Sequence, residues 1–309
     1  MCAFLPGPFF LGEALRRFRK TSRLSEANDG SGEPVGLMPW PIWRLTDSGS
    51  EQVDGSIVTE EPLEIRVDSR SVAVLMRTPG REKELAAGFV LGEGLVADLM
   101  DIALIRHCGR AVSTETSEGD PLDESRNLVD VRLIPGARGP VDVTDAAQLI
   151  RSGCGRTGVG ALVENLTPVD SQAKSSFEVL QRLLGQITRQ QTAYRAAGGI
   201  HAAAVFTTEG KYVIVSEDIG RHNAVDKAVG HCLLRGITLK DKMLVSTGRA
   251  SYDMVAKGAR LGVPIIASIS SPTSLAVELA DALNCTLLGY LRGKTLNVYT
   301  CGWRIDTSG

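Results

Sequence analysis

Polar and apolar residues alternate with period two along Leu63-Glu64-Ile65-Arg66-Val67, and a denser apolar run, Val72-Ala73-Val74-Leu75-Met76, follows Asp68-Ser69-Arg70. Two such runs across a short polar turn predict a β-hairpin. From Arg81 to Leu91 the period changes, setting Leu85, Ala86 and Phe89 on one helical face, and Leu128–Leu133 alternates again as a strand. These elements predict a small α+β lobe over residues 50–150, with a helix from Thr144 to Ile150 that stops at Gly153.

The last third carries the clearest pattern. Ser175 and Glu178 have capping-box spacing, and Phe177, Leu180, Leu183, Leu184 and Ile187 make one apolar stripe. Strands are predicted at 202–207, 212–216, 243–246, 265–268 and 286–289, with helices at 223–234, 251–261 and 274–283. Strands alternating with helices imply a sheet covered on both faces, so the fold class is α/β, with residues 171–309 as the larger domain. Residues 151–170 read as a flexible glycine-rich loop bearing Cys154. Residues 1–49 carry no sustained period and read as mostly disordered or extended.

Composition narrows the class. A chain of 309 residues with 43% hydrophobic and 23% charged residues has an ordinary globular balance, and a net charge of −2 advertises neither nucleic acid nor a membrane surface. The longest uncharged run, Leu261–Val277, contains Pro264 and Pro272 and suits a buried strand and turn better than a membrane span. The six cysteines stand singly, with no C-x-x-C pair, which argues against a disulfide framework or a closed zinc site. The apolar start precedes its basic cluster, the reverse of a secretory signal, so a reducing cytoplasm is the expected compartment.

Four segments could carry chemistry. Cys154 lies between Gly153 and Gly155, with Arg151 and Arg156 placed to favour a thiolate; the same residues equally fit a solvated loop cysteine beside two arginines. Cys108, Cys232 and Cys285 sit in apolar contexts and read as small core residues. Glu217–Asn223 lies at a strand-to-helix junction, offering Asp218, Arg221 and His222 to a ligand or using them as helix caps. Ser246–Ser251 repeats the arrangement with Arg249, and hydroxyls, a glycine and an arginine at a helix start suit phosphate oxygens. Tyr290-Leu291-Arg292-Gly293-Lys294-Thr295 adds two cations near the chain end, as part of an anion site or a charged hairpin tip. No P-loop or dinucleotide fingerprint is present.

Several longer motifs together resemble the FdhD family of formate dehydrogenase accessory sulfurtransferases. They are Gly198-Gly199-Ile200-His201-Ala202-Ala203, the run Glu217 to Lys227, Gly248-Arg249-Ala250-Ser251-Tyr252, Ser271 to Glu278 and Asn297-Val298-Tyr299-Thr300. Upstream, Glu84 to Phe89 with Gly92-Glu93-Gly94 is similar to the family's N-terminal signature. The resemblance implies a persulfide-based sulfurtransferase that takes sulfur from a cysteine desulfurase onto Cys154. It would pass that sulfur to the molybdenum cofactor, in its bis(molybdopterin guanine dinucleotide) form, for formate dehydrogenase. It places the cofactor-binding segment at Tyr290, Leu291, Arg292, Gly293, Lys294 and Thr295, makes a guanine nucleotide a plausible mimic, and implies a homodimer. Arg249, Asp218, Arg221 and His222 join that expected binding set.

The resemblance also implies a cytidine-deaminase-like, three-layer C-terminal domain. The zinc ligands of a deaminase are missing: His222-Asn223-Ala224 has no glutamate, and Gly248–Tyr252 has no thiolate pair, so no zinc is expected. Family members commonly carry C-x-x-C in the loop, whereas here Thr157 stands in the second position. A threonine holds no persulfide, which opens a second reading: a chaperone that binds the molybdenum cofactor without transferring sulfur.

Overall fold

The computed structural model describes residues 36–107, 127–141 and 166–307. In the first lobe, β3 (Glu61–Val67) and β4 (Arg70–Arg77) form the predicted hairpin, and β5 (Ile102–His107) and β6 (Leu128–Leu133) complete a four-stranded sheet of order β4-β3-β6-β5. Helix α1 (Glu82–Gly92) covers one face, and Leu63, Ile65, Val129 and Val131 from alternate strand positions pack against Leu85 and Phe89 from the helix. The period-two and period-3.6 patterns therefore meet in a single core.

Ahead of this sheet, β1 (Leu37–Thr46) and β2 (Gly49–Val58) form a separate antiparallel ribbon, paired from Leu37↔Val58 to Thr46↔Gly49. Residues 37–49, in the segment read as mostly disordered or extended, are regular strand and turn. The ribbon is exposed along most of its length and is ordered by its backbone ladder rather than by a buried face, so no amphipathic period marks it in the sequence.

The second lobe is built on a six-stranded sheet of order β13-β12-β11-β10-β8-β9, comprising β8 (His201–Thr207), β9 (Tyr212–Asp218), β10 (Lys242–Ser246), β11 (Ile265–Ser268), β12 (Thr286–Arg292) and β13 (Thr295–Val298). Strands β10, β11 and β12 are mutually parallel; β8 runs antiparallel to both β9 and β10. Alternation divides the strands between two cores. Ala203, Val205, Leu244, Ile266 and Leu287 face α4 (Arg221–Leu234), α5 (Tyr252–Arg260) and α6 (Ser274–Ala282). Ala204, Phe206, Val245 and Ala267 face Leu180, Leu183 and Ile187 of α2 (Phe177–Gln190). The cap of α2 is Ser176, whose hydroxyl accepts from Val179 N at 3.3 Å, not Ser175. Ser175 instead belongs to β7 (Ser175–Ser176), which pairs with β14 (Ile305–Asp306), and its hydroxyl donates to Thr208 O at 2.7 Å. Cys232 and Cys285 are buried as expected; Cys108 lies outside the described residues.

The lobes meet where α1 crosses α4. A Cβ on Gly88 would overlap the Asp226 carbonyl, and one on Gly230 would overlap the Glu84 carbonyl, so these two glycines allow the helix backbones to touch. Buried ion pairs flank the crossing. Lys227 Nζ lies 2.6 Å from Asp218 and donates to Thr78 O at 2.7 Å, while Lys257 Nζ lies 2.6 Å from Asp226 and 3.1 Å from Glu93. Among the described residues no helix is long and apolar enough to cross a membrane.

Candidate functional site

Parallel strands bring their carboxyl ends to one edge of a sheet, the usual place for ligands in α/β proteins. Here β9, β10, β11 and β12 all end on that edge, and three of them lead directly into helices. Hydrogen bonds lock the connecting turns together. Ser246 Oγ accepts from Gly248 N at 3.1 Å, Ser268 Oγ donates to Gly248 O at 2.6 Å and accepts from Ser270 N at 3.0 Å, and Tyr290 N donates to Ser270 O at 3.0 Å. Thr247 closes the near side, its hydroxyl accepting from Ala202 N at 2.9 Å and lying 3.4 Å from His201 Nδ1.

This frame positions the cations. Gly248 has no side chain because Arg221 lies across it: a Cβ there would sit 2.8 Å from Arg221 Cβ and Cδ. The Arg221 Nε is buried and has no hydrogen-bond partner among the described residues. An unpartnered buried N–H on a guanidinium is costly, and an anionic oxygen is its natural acceptor. Arg249 is exposed on the neighbouring turn. Burial lowers the His201 pKa, and the charges of Arg221 and Arg249 lower it further, which places three basic side chains within mutual electrostatic reach. His222 Nε2 lies 3.2 Å from Ser251 Oγ, the N-cap residue of α5. Burial, followed by Lys257 and Arg221, pushes the His222 pKa down to about 4, so its imidazole is neutral near pH 7.

The β12–β13 hairpin stands beyond this crest. Tyr290 (φ 52°) and Gly293 (φ 58°) take left-handed conformations, and the register shifts between Gly289 and Arg292. Tyr290, Arg292, Gly293, Lys294 and Thr295 are exposed, with the Arg292 guanidinium 5.4 Å from the centre of the Tyr290 ring. Gly289 lets the hairpin settle on the β11–α6 turn, because a Cβ there would lie 2.9 Å from Pro272 Cδ and 3.2 Å from Ser270 O.

A family model described as the FdhD/NarQ family matches residues 58–306. The chain belongs to the FdhD/NarQ family. Among similar proteins, one from Mycobacterium tuberculosis named Sulfur carrier protein FdhD is 42% identical over 258 residues, covering 81% of this chain and 91% of its own. One of the same name from Streptomyces coelicolor is 37% identical over 275 residues, covering 85% and 94%. A crystal structure of a protein assigned as a formate dehydrogenase accessory protein from Desulfotalea psychrophila superposes with a TM-score of 0.68 at 25% identity, covering 88% of this chain and all of that one. The FdhD/NarQ match therefore spans both lobes and every residue of the crest.

The structure gathers Arg221, Arg249 and His222 at the crest and joins it through Ser270 to the hairpin. Two expected contacts are corrected. Asp218 is fully buried and both oxygens are taken: Oδ2 by Lys227 and by Thr78 N at 3.2 Å, Oδ1 by Gly220 N at 2.9 Å and Asn223 Nδ2 at 3.0 Å. It ties the lobes together and offers a ligand nothing. Leu291 is also fully buried, in the core beneath α2, because the bulge turns it inward. His201 was absent from the expected binding set; the tight turn at Gly198 (φ 68°) and Gly199 (φ 65°) just before it was the signal. Cys154, Arg151, Arg156 and Thr157 lie outside the described residues. Among those described, no three His, Cys, Asp or Glu side chains converge as a metal site.

Proposed function

We propose that this FdhD/NarQ-family chain is a cytoplasmic sulfur carrier. It takes a sulfane sulfur from a cysteine desulfurase as a Cys154 persulfide and delivers it to the molybdenum cofactor for formate dehydrogenase. The loading step balances without an external oxidant: the Cys154 thiolate attacks the terminal sulfur of the donor persulfide, a new S–S bond forms, and the donor leaves as its thiolate. Arg151 and Arg156 favour the Cys154 thiolate that begins this exchange. The names of the relatives support carriage of sulfur, and the accessory-protein structure supports formate dehydrogenase as client.

The observation that carries the cargo assignment is the buried, unpartnered Nε of Arg221 beside Arg249 at the sheet edge. The bis(molybdopterin guanine dinucleotide) cargo is polyanionic, so Arg221 and Arg249 are the residues to hold its phosphates, with Tyr290, Arg292 and Lys294 closing over its nucleotide end. In this reading the C-terminal lobe is a relative of the cytidine-deaminase fold, and the carrier acts as a homodimer. Thr157 favours a second reading, in which the chain holds the cofactor and transfers no sulfur.

One experiment separates them. The protein and its Cys154→Ser variant are incubated with an active cysteine desulfurase and cysteine, then weighed intact under non-reducing conditions. A reducible gain of one sulfur in the wild type, absent from the variant, is expected. No gain, together with guanine nucleotide binding that depends on Arg221, makes the chaperone reading the correct one.

A further inference from the structure

Strand β9 ends the six-stranded sheet, with no strand beyond it among the described residues. Which of its backbone groups are left over follows from its neighbours. Thr247 N donates to Ala202 O and Ala202 N donates to Thr247 Oγ1, both at 2.9 Å, so both backbone polar groups of Ala202 point away from β9. Bonded and unbonded positions alternate along an antiparallel pair. Glu217 lies opposite Ala202 and Val215 opposite Ala204, so both turn their N–H and C=O outward from the sheet. No backbone hydrogen bond takes up these four groups among the described residues. A row of unpaired strand groups is a template for another strand.

These groups open on a cavity of about 680 Å³ at the lobe junction, with Val215–Glu217 of β9 as one wall and the turn Thr78–Arg81, between β4 and α1, as another. From Tyr212 to Glu217 the strand runs about 17 Å, length enough for about five residues of an incoming strand. Ser216 lines the same cavity; it is 2% exposed, and its Oγ is buried with no hydrogen-bond partner among the described residues. An unpartnered buried hydroxyl is costly, and a ligand group that bonds it removes the cost. A cavity of this size holds a lone extended segment, not the edge of a second folded sheet.

The charges around the cavity select the occupant. Lys227 is paired with Asp218, Arg235 lies 3.4 Å from Glu84, and the Glu217 carboxylate accepts from Ala193 N at 3.0 Å and Tyr194 N at 2.9 Å. Arg81 remains. It is exposed, in a left-handed conformation (φ 60°), with its Nη1 3.0 Å from His231 Nδ1 and no carboxylate paired with it among the described residues. Burial, followed by Arg235 and Arg81, lowers the His231 pKa, so that imidazole is neutral near pH 7 and leaves the guanidinium charge uncompensated. A carboxylate is its natural partner. We infer that the β9 edge is a docking groove for an extended, acidic segment of a protein partner, which adds to the sheet as a further strand and sets a carboxylate against Arg81. Main-chain bonds to Val215 and Glu217 supply the affinity, and Arg81 supplies the preference for an acidic residue.

The test selects random octapeptides displayed on phage against the full chain, then measures a synthetic copy of the selected peptide by fluorescence polarisation. Val215→Pro removes one outward N–H and keeps the β8–β9 ladder, because proline is tolerated on an edge strand where its nitrogen faces out. The expected peptide carries an aspartate or glutamate, slows amide exchange at Val215 and Glu217, and binds about tenfold more weakly to Val215→Pro and to Arg81→Ala. Should Val215→Pro fail to fold, N-methylation along the peptide tests the same bonds and should weaken binding at alternate residues only. No enriched peptide, or binding that survives Val215→Pro or N-methylation at every position, would overturn the inference. So would binding that appears only after residues 1–35 are removed, which makes the chain's own N-terminal segment the occupant, or a change of oligomeric mass in Val215→Pro, which makes a second copy the occupant.

Discussion

Replacing Lys257 by methionine isolates the energetics of the lobe junction. Lys257 Nζ lies 2.7 Å from Asp226 Oδ1 and 2.6 Å from Oδ2, 3.1 Å from Glu93, and 5.3 Å from the centre of the Phe89 ring. Asp226 is 1% exposed and has no other hydrogen-bond partner among the described residues. Methionine keeps the packing of the aliphatic stem, so the substitution chiefly leaves a buried carboxylate unpaired, which costs about 3–5 kcal/mol. Glu93 keeps 24% of its side-chain surface in water and adds little. We expect urea denaturation at pH 7.5 to show a loss of about 4 kcal/mol. The double variant Asp226→Asn/Lys257→Met should recover to within about 2 kcal/mol of wild type, because no unpaired charge remains. The pH dependence supplies a second check. Burial raises Asp226 from 3.8 to about 6, so its protonated form is the better folded one. The stability this confers is present at low pH and lost as pH rises through about 6. Without Lys257 the ionised form loses its counter-charge and the window widens, so the variant's deficit should be about 1 kcal/mol smaller at pH 5 than at pH 7.5. A deficit under about 1 kcal/mol, a deficit that grows as pH falls, or a double variant no better than the single would refute the reasoning.

The hairpin divides into a core residue and a surface cation. Leu291→Ala should lower stability by about 2–4 kcal/mol in the same assay, whereas Arg292→Ala should leave the melting temperature unchanged and weaken guanine nucleotide binding by calorimetry. Weakened binding with unchanged melting in Leu291→Ala would reverse those roles. His222, held near 4 against an ordinary 6.5, is folded in its neutral form, so it contributes stability above about 6.5 that is lost as pH falls toward 4. Nucleotide affinity should accordingly show no inflection between about pH 6 and 8 that His222→Asn abolishes, and finding one would show the imidazole titrating in the site.

What was legible in the residues, and what was not, follows from where each element's partners lie. Strand β11 and helix α6 were read to within a residue because both carry periods that their own core enforces. Strand β13 was implied only by the alternative of a hairpin tip and was given no bounds, because it is an exposed edge with almost no buried face to mark it. A six-residue helix, α3 (Thr192–Ala197), was also missed, since it begins on the carboxylate of a distant residue: Glu217 accepts from Ala193 N at 3.0 Å and Tyr194 N at 2.9 Å. The errors at the site have the same origin. Asp218 has the local signature of a ligand contact at a helix start, and the folded chain shows it spoken for, by Lys227, Gly220 and Asn223 on its own lobe and by Thr78 from the other. Leu291 sits in a run of exposed residues, and only the bulge after Gly289 explains how it shares a face with Leu288. Arg221 could be named from its junction, but not the reason it matters. That reason is a glycine on the next turn, Gly248, which leaves room for the guanidinium to lie buried with a donor unsatisfied. Local chemistry therefore nominates the binding residues, while long-range packing decides which of them are already committed to the fold and which still have a hydrogen bond to give.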